Sequence, residues 1–324
     1  MTKRAFSRAI LAAVPCVAVV ILLLNLQNIS DWWRLKDYTP APSVANLAST
    51  TTMTPYAEKL FYVNKPQIIG GQTFTQSCPL AVEKTVILGC YQSGDRGIYL
   101  YKVTDERLKG VEEVTAAHEM LHAAYQRLSS KERNRVDTLL QNFYFQELKD
   151  QRVKDTVAAY EKSEPTELPN EMHSIFATEV ASLPAELETY YQKYFRNRSA
   201  VVAYTAQYQQ AFTSRKDQVA AYDVELKNLK QTIDSNQADL LSRRGTLQSL
   251  QNQMERLKSS GKIAAYNSQI DTYNADVSGY NELLDNTKQR IKNYNIIVEK
   301  RNAIALEERQ LSQAMSATAL PDAP

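Results

Sequence analysis

Hydrophobic positions recur most regularly in the last third of the chain. Between residues 204 and 257, apolar side chains alternate in steps of three and four, and a second series of the same kind runs from residue 263 to residue 298. Each series lasts longer than the three or four heptads that identify a coiled coil. The pattern therefore predicts two long helices, each with one continuous apolar seam.

A short glycine-containing stretch at residues 259–262 joins the two series. Two arms of similar length with a short turn predict an antiparallel coiled-coil hairpin over residues 199–316, about 80 Å long at 1.5 Å per residue. The two arms of one chain satisfy each other, so the pattern allows a protein partner or self-association through the coiled coil but requires neither. Polar residues interrupt the seams and are expected to fix their register: Arg215, Asn236, Arg243 and Thr287.

Ahead of these arms, the pattern changes to strands and shorter helices. Residues 84–91 are rich in β-branched side chains and residues 98–103 alternate, which predicts two strands of a hairpin around a turn at 92–97. Helical patterns follow over residues 111–128 and 170–183. The predicted fold class is therefore mainly α with a small β-hairpin or sheet, followed by the long antiparallel hairpin of helices.

The N-terminal residues have the pattern of a membrane segment. Lys3, Arg4 and Arg8 precede an uncharged run over residues 9–30, which is long enough to cross the roughly 30 Å of a bilayer core. A positive flank on this side predicts a cytoplasmic N-terminus, with the rest of the chain outside the cytoplasm. No small-x-small cleavage site follows the run, which favours an uncleaved signal anchor over a cleaved signal peptide. The sequence therefore predicts a single-pass protein of the cell membrane, with residues 1–36 as cytoplasmic flank and transmembrane anchor.

The rest of the chain divides into four further parts. Prolines and a Ser/Thr-rich middle predict a flexible linker over residues 37–55. Residues 56–198 hold the mixed pattern of strands and helices and are expected to form one domain. Residues 199–316 form the predicted hairpin of helices, and residues 317–324 are expected to be a disordered tail.

Composition narrows the classes of partner. The 324 residues carry a formal net charge of +2, with both signs interspersed and no run of Lys or Arg, so no nucleic-acid partner is predicted. Of the three cysteines, Cys16 lies in the apolar N-terminal run. An oxidising compartment outside the cytoplasm favours a disulfide between Cys78 and Cys90 over two free thiols packed in a small core.

One short motif carries the candidate chemistry. Residues 118–122 are His-Glu-Met-Leu-His, and a helix there places His118 and His122 one turn apart on the same face. Two imidazoles in this arrangement can bind one Zn²⁺, while Glu119 projects to the side, where it can act as general base on a zinc-bound water. The alternative is a core helix with two hydrogen-bonded histidines and a solvent-facing Glu119.

A catalytic zinc usually has three protein ligands, so a third is expected downstream. The helix over residues 170–183 offers Glu171, His173 and Glu179. On a helical wheel at about 100° per residue, Glu179 lies inside the apolar stripe, and the other two lie near its edges. A carboxylate that faces a core needs a cation, so Glu179 is predicted as the third ligand and Glu171 is the second choice. His173 remains for a supporting hydrogen bond or an oxyanion donor, and Glu179 has the alternative of pairing with a buried Arg or the backbone.

An aromatic stretch follows over residues 185–198 and includes Tyr190, Tyr191 and Tyr194. Core packing is the plain interpretation of these side chains. The alternative is that one tyrosine hydroxyl donates to an oxyanion in the cleft. The two interpretations differ in whether a hydroxyl reaches the metal site.

The motif and its surroundings resemble the gluzincin metallopeptidases, the thermolysin-like group in which a glutamate on a second helix completes a His-Glu-x-x-His zinc site. Residues 117–122 match the first motif in full, and residues 170–179 match the second helix loosely. In that group the glutamate of an Asn-Glu pair is the ligand, which favours Glu171 and conflicts with the wheel argument for Glu179. The resemblance covers residues 84–195 and implies a zincin-like α+β catalytic domain, with a strand beside the cleft that pairs with an extended peptide.

Two function classes follow. The first is a membrane-anchored, extracytoplasmic zinc metallopeptidase that hydrolyses a peptide or protein substrate, with Glu119 passing the proton of the attacking water to the leaving amine. The second is a non-catalytic, membrane-tethered coiled-coil scaffold with a degenerate zincin domain. The intact Glu119 favours the enzyme, because a scaffold has no use for that residue. A third hypothesis joins the two: the enzyme activates a cell-wall or surface regulator that its own hairpin binds.

Overall fold

The computed structural model describes residues 25–78, 88–94 and 97–315. This part of the chain is mainly helical with one small sheet of three strands, which confirms the predicted fold class at that level. The described residues form two compact units, one made of those up to 210 together with 312–315, the other of residues 211–311. The boundary between the units follows residue 210.

Helices make up most of the first unit. Its described α-helices are α1 (Pro42–Thr50), α2 (Pro55–Val63), α3 (Gly71–Ser77), α4 (Val111–Gln126), α5 (Ser130–Asn142), α6 (Gln151–Ser163), α7 (Leu168–Glu179) and α8 (Ala185–Tyr191). A helical segment over residues 25–35 precedes them. A 3-10 helix (Glu106–Leu108) leads into α4, and a π-helical turn (Phe143–Glu147) follows α5. Two much longer helices come last, α9 (Arg198–Ser259) and α10 (Ile263–Ala314).

The sheet contains β1 (Gln67–Ile69), β2 (Gly89–Gln92) and β3 (Gly97–Tyr101), in the order β1-β3-β2. Strands β2 and β3 pair antiparallel, as the predicted hairpin requires, and β1 pairs parallel with β3. The first four residues of the predicted first strand, 84–87, lie outside the described residues. Strand β1 was not predicted, because its three residues are too few to show an alternating pattern of apolar and polar side chains.

The predicted disulfide joins Cys78 and Cys90, with Cα atoms 6.0 Å apart. Cys78 directly follows α3 and Cys90 lies in β2, so the bond ties the end of this helix to the sheet. Phe74 and Tyr101 are buried beside Cys78 in a small separate cluster. The bond therefore links β2, one of the two edge strands of the sheet, covalently to the end of α3.

Residues 37–55, predicted as a flexible linker, contain helix α1. Pro42 lies in the first turn of this helix, where the missing N–H is tolerated and the fixed φ favours a helix. Val44, Leu47 and Ala48 are buried in the main core. Prolines at 40 and 42 suggested a linker, but one of them begins a packed helix.

The membrane prediction needs a correction. No helix in the described part of the chain, which begins at residue 25, is long and apolar enough to cross a bilayer. The predicted single-pass anchor and the membrane localisation that depends on it are therefore not retained. Most of the predicted apolar run, residues 9–24, lies outside the described residues, as does the predicted tail at 317–324.

Helices α4 and α7 pack against each other in the core of the first unit. Ala116 and Ala117 of α4 are fully buried in this core. Phe176 and Met172 of α7 are buried in the same core. This packing sets the distance between the His-Glu-x-x-His helix and the helix that carries the predicted third ligand.

Arg198, the first residue of α9, holds the C-terminal end of α7. Its guanidinium donates to the carbonyl oxygens of Ala177 at 3.1 Å and Ala181 at 3.2 Å, and its Nε donates to Glu188 at 3.0 Å. The last carbonyl groups of a helix have no partner within the helix, so a buried cation there satisfies them. Arg198 thus fixes where α7 ends.

In the second unit, residues on α9 and α10 pair across the two helices. Arg215 lies 3.0 Å from Glu307, and Asp223 lies 2.9 Å from Arg301. The amide of Asn236 donates to the Thr287 hydroxyl at 3.1 Å. The partner numbers fall as the numbers along α9 rise, so the two helices run antiparallel. Arg243 instead pairs with Asp239 on its own helix.

Candidate metal site

Helix α4 presents the two motif histidines from a fixed starting point. Gly110 precedes the helix with φ at 102°, and a Cβ there would lie 2.8 Å from the carbonyl oxygen of Tyr204. Only glycine fits both conditions easily. From this start, His118 and His122 lie one turn apart, with ring centroids 4.7 Å from each other. The motif therefore has the helical geometry that its spacing predicts.

Helix α7 brings Glu171 to the two histidines. Its carboxylate oxygens lie 3.5 Å from His118 Nε2 and 3.5 Å from His122 Nε2. One donor atom from each of the three residues lies within 4.8 Å of the others. In the part of the chain that the structure describes, this is the one group of His, Cys, Asp and Glu that could hold a metal ion.

The spacing of these donors fits a small divalent ion. Nitrogen and oxygen ligands held at about 2.1 Å around a tetrahedral zinc lie roughly 3.4 Å from one another. The two 3.5 Å separations are close to that value, but they join different oxygens of Glu171, and one donor atom from each residue lies within 4.8 Å of the others. Glu171 Oε2 is also buried and has no hydrogen-bond partner. A buried carboxylate oxygen without a partner is costly, so a bound cation would satisfy it.

The amide of Asn170 orients His122. Its Oδ1 lies 3.0 Å from His122 Nδ1, and because an amide oxygen only accepts, Nδ1 carries the proton. The Ser174 hydroxyl lies 3.5 Å from the same nitrogen. When His122 is neutral, its unprotonated nitrogen is therefore Nε2, which is the nitrogen that lies near Glu171. This is the arrangement that a metal-binding histidine needs.

The charges around Glu171 favour its ionised form. Burial alone would raise the pKa of this carboxyl group, but the neighbouring His122 and His118 outweigh burial and lower the pKa. A carboxylate that stays ionised is the form that binds a metal.

Glu119 is buried rather than facing solvent. Only 5 % of its surface is exposed, because strand β2 covers it at Gly89. A Cβ added to Gly89 would lie 2.8 Å from Glu119 Oε1. The alternative of a solvent-facing Glu119 on an ordinary core helix therefore does not describe this helix.

Glu179, predicted as the third metal ligand, is not part of the group. It is the last residue of α7 and forms an ion pair with Arg152 of α6. The Glu179 side chain is 14 % exposed, and its cation is an arginine, as in the alternative interpretation, but this arginine is 39 % exposed rather than buried. Glu171, the second choice, lies beside the two histidines instead. It is one turn into α7, where this helix passes the motif histidines of α4.

His173 and the tyrosines form a buried aromatic cluster. His173 is fully buried, and its Nε2 lies 2.9 Å from the Tyr190 hydroxyl, which in turn lies 3.1 Å from that of Tyr194. The Tyr191 hydroxyl donates to the His173 carbonyl oxygen at 2.8 Å. Burial, together with the positive charges of His122, His118 and Lys193, lowers the pKa of His173 to about 3. The contacts found for these tyrosines are those of core packing.

Sequence reasoning missed two residues of the site. Asn170 had a signal, since it precedes Glu171 in the Asn-Glu pair of the resemblance. Gly89 had none, because only the fold brings β2 onto α4. Comparison with protein-family models, with curated proteins and with solved structures found nothing that matches this chain.

Proposed function

We propose that this protein is a zinc-dependent metallopeptidase in which His118, His122 and Glu171 hold the metal and Glu119 is the general base. The single observation that carries the proposal is the convergence of the three donor atoms within 4.8 Å, next to an intact motif glutamate. Two histidines and one glutamate are a common ligand set of hydrolytic zinc, with one position left for water or substrate.

The site residues divide the chemistry among them. A zinc ion bound there would act as a Lewis acid toward a peptide carbonyl and would lower the pKa of a water molecule. Glu119 accepts the proton of the attacking water and delivers it to the leaving amine, which is the role of a general base and then a general acid. Asn170 holds His122 in the tautomer that the site needs.

The outer edge of β2 supports a peptide as substrate. This strand has β3 on one side, and no other strand in the described residues pairs with its second edge. Because Gly89 of this strand lies against Glu119, an extended peptide added to the edge would run past the general base. Strand addition supplies main-chain hydrogen bonds for any sequence, so it fits peptide-bond hydrolysis.

We also infer that the first unit is a zincin-like catalytic domain and that α9 and α10 form an antiparallel coiled-coil hairpin. The pairs between Arg215 and Glu307 and between Asn236 and Thr287 support the hairpin. Apolar side chains of both helices are buried: Ile233, Leu240 and Met254 of α9 and Ile297 of α10. One chain supplies both arms, so a protein partner or a second copy would bind the outside of a complete hairpin.

The direct test uses the full-length chain with zinc, assayed for bound metal and for cleavage of fluorogenic peptides. Glu119→Gln should lower turnover by about 10²- to 10⁴-fold while zinc stays bound, because general acid–base catalysis contributes on that order. Glu113→Gln changes a half-buried glutamate on the same helix and serves as the matched control. Equal turnover of the two variants would refute the proposed role of Glu119.

A non-catalytic scaffold is the second candidate, and the two long helices favour it. It predicts that wild-type protein purified in the presence of zinc binds no metal and cleaves no peptide. Bound zinc with Glu119-dependent cleavage would eliminate this candidate as the sole function.

A further inference from the structure

Strand β2 begins at a glycine that lies directly on the motif helix. A Cβ added to Gly89 would lie 2.5 Å from Thr115 Cγ2, 2.8 Å from Glu119 Oε1 and 2.9 Å from Glu119 Cγ. These are the three nearest atoms, and real Cβ atoms essentially never come within 3.0 Å of such neighbours. The absence of a side chain at residue 89 is therefore what leaves room for the Glu119 side chain.

The strand has little freedom to move away from the helix. Gly89 is paired with Leu100 of β3, and the next residue, Cys90, is held by the disulfide to Cys78. Two residues on, the Tyr91 hydroxyl donates to the side chain of Gln126, at the other end of α4. Backbone pairing, a covalent bond and a side-chain contact thus keep β2 on α4.

Thr115 is also held in place. Its hydroxyl donates to the Val111 carbonyl oxygen at 2.8 Å, which fixes the rotamer that turns Cγ2 toward the strand. A methyl group added to this fixed strand at residue 89 would therefore meet one fixed neighbour, Thr115, and one that can move, Glu119. The part that can move at low cost is the end of the flexible Glu119 side chain.

We propose that Gly89 is a positioning residue for Glu119: its bare backbone forms the slot that holds the carboxylate at the metal site. The proposal rests on the proposed function, since it concerns the residue named there as general base. Glycine weakens a strand, so its presence at the start of β2 is explained by the close approach of the Glu119 side chain. Gly89 itself touches no reacting atom. It acts only by determining the position of the Glu119 side chain.

The variant that tests this is Gly89→Ala in the full-length chain. We expect kcat to fall about 10- to 100-fold, since a displacement of about 1 Å at a catalytic group costs that much. KM should change by less than about twofold, because substrate binding is not the step affected. Zinc should remain at about one per chain, because the three nearest neighbours of the new methyl group include no metal ligand.

Gly70→Ala is the matched control. Gly70 has an extended backbone, with φ at −121°, and a Cβ there would meet only Lys102 Cβ, at 3.9 Å. The same substitution is therefore unstrained at residue 70, and its kcat and zinc content should equal those of wild type. If Gly89→Ala and Gly70→Ala have the same kcat, the proposal is overturned.

A double-mutant cycle separates positioning from a general structural effect. Glu119→Ala lowers turnover by itself, and it removes both Glu119 atoms, Oε1 and Cγ, that would meet the new methyl group. In that background Gly89→Ala should lower kcat by less than about threefold, whereas two independent effects would multiply. Should Gly89→Ala fold poorly, Gly89→Ala with Thr115→Ser removes the nearest clash and keeps the contact with Glu119.

A crystal structure of Gly89→Ala gives a readout that does not depend on activity. A displaced Glu119 carboxylate supports the slot, and an unmoved one overturns it. Failure of the proposed function would look different, because wild type itself would then lack zinc or peptide cleavage. Wild-type cleavage with a fully active Gly89→Ala variant would reject only the role of Gly89.

Discussion

The two ends of helix α7 each turn a glutamate inward, and the two glutamates meet different neighbours. At the N-terminal end, Glu171 lies 3.5 Å from His118 Nε2 and 3.5 Å from His122 Nε2. At the C-terminal end, Glu179 forms an ion pair with the guanidinium of Arg152. The side chains are similarly buried, with 11 % of Glu171 and 14 % of Glu179 exposed.

What separates the two ends is the source of the positive charge. Arg152 is charged at any physiological pH and neutralises Glu179 without help. A histidine carries a positive charge only when a second proton or a metal ion is bound, so the pair beside Glu171 gives it no permanent cation. Burial of a carboxylate therefore points to a metal only where the chain itself supplies no permanent cation.

The largest effect expected from this difference is loss of metal from Glu171→Gln. A neutral amide is a poor third ligand, so zinc should fall from about one per chain to near zero, and peptide cleavage should fall with it. Metal content by mass spectrometry after dialysis measures the first, and a fluorogenic peptide assay the second. Retention of zinc by Glu171→Gln at the wild-type level would remove Glu171 from the site.

The next largest effect is expected at Asn170, which acts on His122 rather than on the metal. Asn170→Ala removes the acceptor 3.0 Å from Nδ1, so His122 loses its fixed tautomer and ring orientation. Partners of this kind typically contribute 10- to 100-fold to metal affinity, and we expect a zinc Kd weaker by about that factor. Ser174→Ala removes only a contact at 3.5 Å and is the control, with an expected change of less than about threefold. Equal Kd values for the two variants would contradict the orienting role.

The local parts of this site could be predicted from the sequence, and the non-local parts could not. His118, Glu119 and His122 follow from spacing on one helix, which the structure reproduces. The helical wheel for α7 predicts that Glu179 faces inward. The sequence of α7 cannot show that Arg152 of α6 lies beside it, because that contact depends on how the two helices pack. The contact between Gly89 and Glu119 joins residues 30 positions apart through strand pairing, so no local signal marks it.

Helix α1 was not predicted for the same reason, because the contacts that stabilise it are with residues distant in the sequence. Pro42 and the Ser/Thr-rich residues after it suggested a flexible segment, because both are common in linkers. Proline in the first turn of a helix is equally acceptable, and the deciding contacts are those of Val44 and Leu47 with the core. Segments distant in the sequence bury the apolar side chains of this stretch, and this burial stabilises it as helix α1.

Asp31 is a third buried carboxylate, and it pairs with two permanent cations, Arg127 and Lys59. It lies 2.8 Å from Arg127 and 3.0 Å from Lys59, and its side chain is 2 % exposed. Asp31→Asn should lower the free energy of unfolding by about 2 kcal/mol at neutral pH, less than for a fully buried pair because both cations are partly exposed. Thermal and urea unfolding measure the change, and Asp37→Asn, at an exposed aspartate, is the control.

The effect of Asp31→Asn should also depend on pH. Burial raises the pKa of Asp31, but the hydrogen bonds from Arg127, Lys59 and Gln27 outweigh it, so the pKa is lower than in the unfolded chain. A lowered pKa adds stability above the unfolded value, near 3.8, and that stability is lost as pH falls through the folded value. Wild type and Asp31→Asn should therefore approach each other in stability below about pH 4. A difference that stays constant from pH 7 to pH 3 would contradict this account.

The smallest effect is expected at the other end of α7, in Glu179→Gln. Its partner Arg152 is 39 % exposed and lies 3.8 Å from Asp150, so the guanidinium keeps water and a second carboxylate when Glu179 is neutralised. The free energy of unfolding should fall by less than about 1 kcal/mol, and by less still in high salt, as for other partly exposed pairs. Zinc content and peptide cleavage should equal those of wild type. Zinc lost from Glu179→Gln but kept by Glu171→Gln would reverse the roles of the two glutamates and restore the choice that the helical wheel favoured.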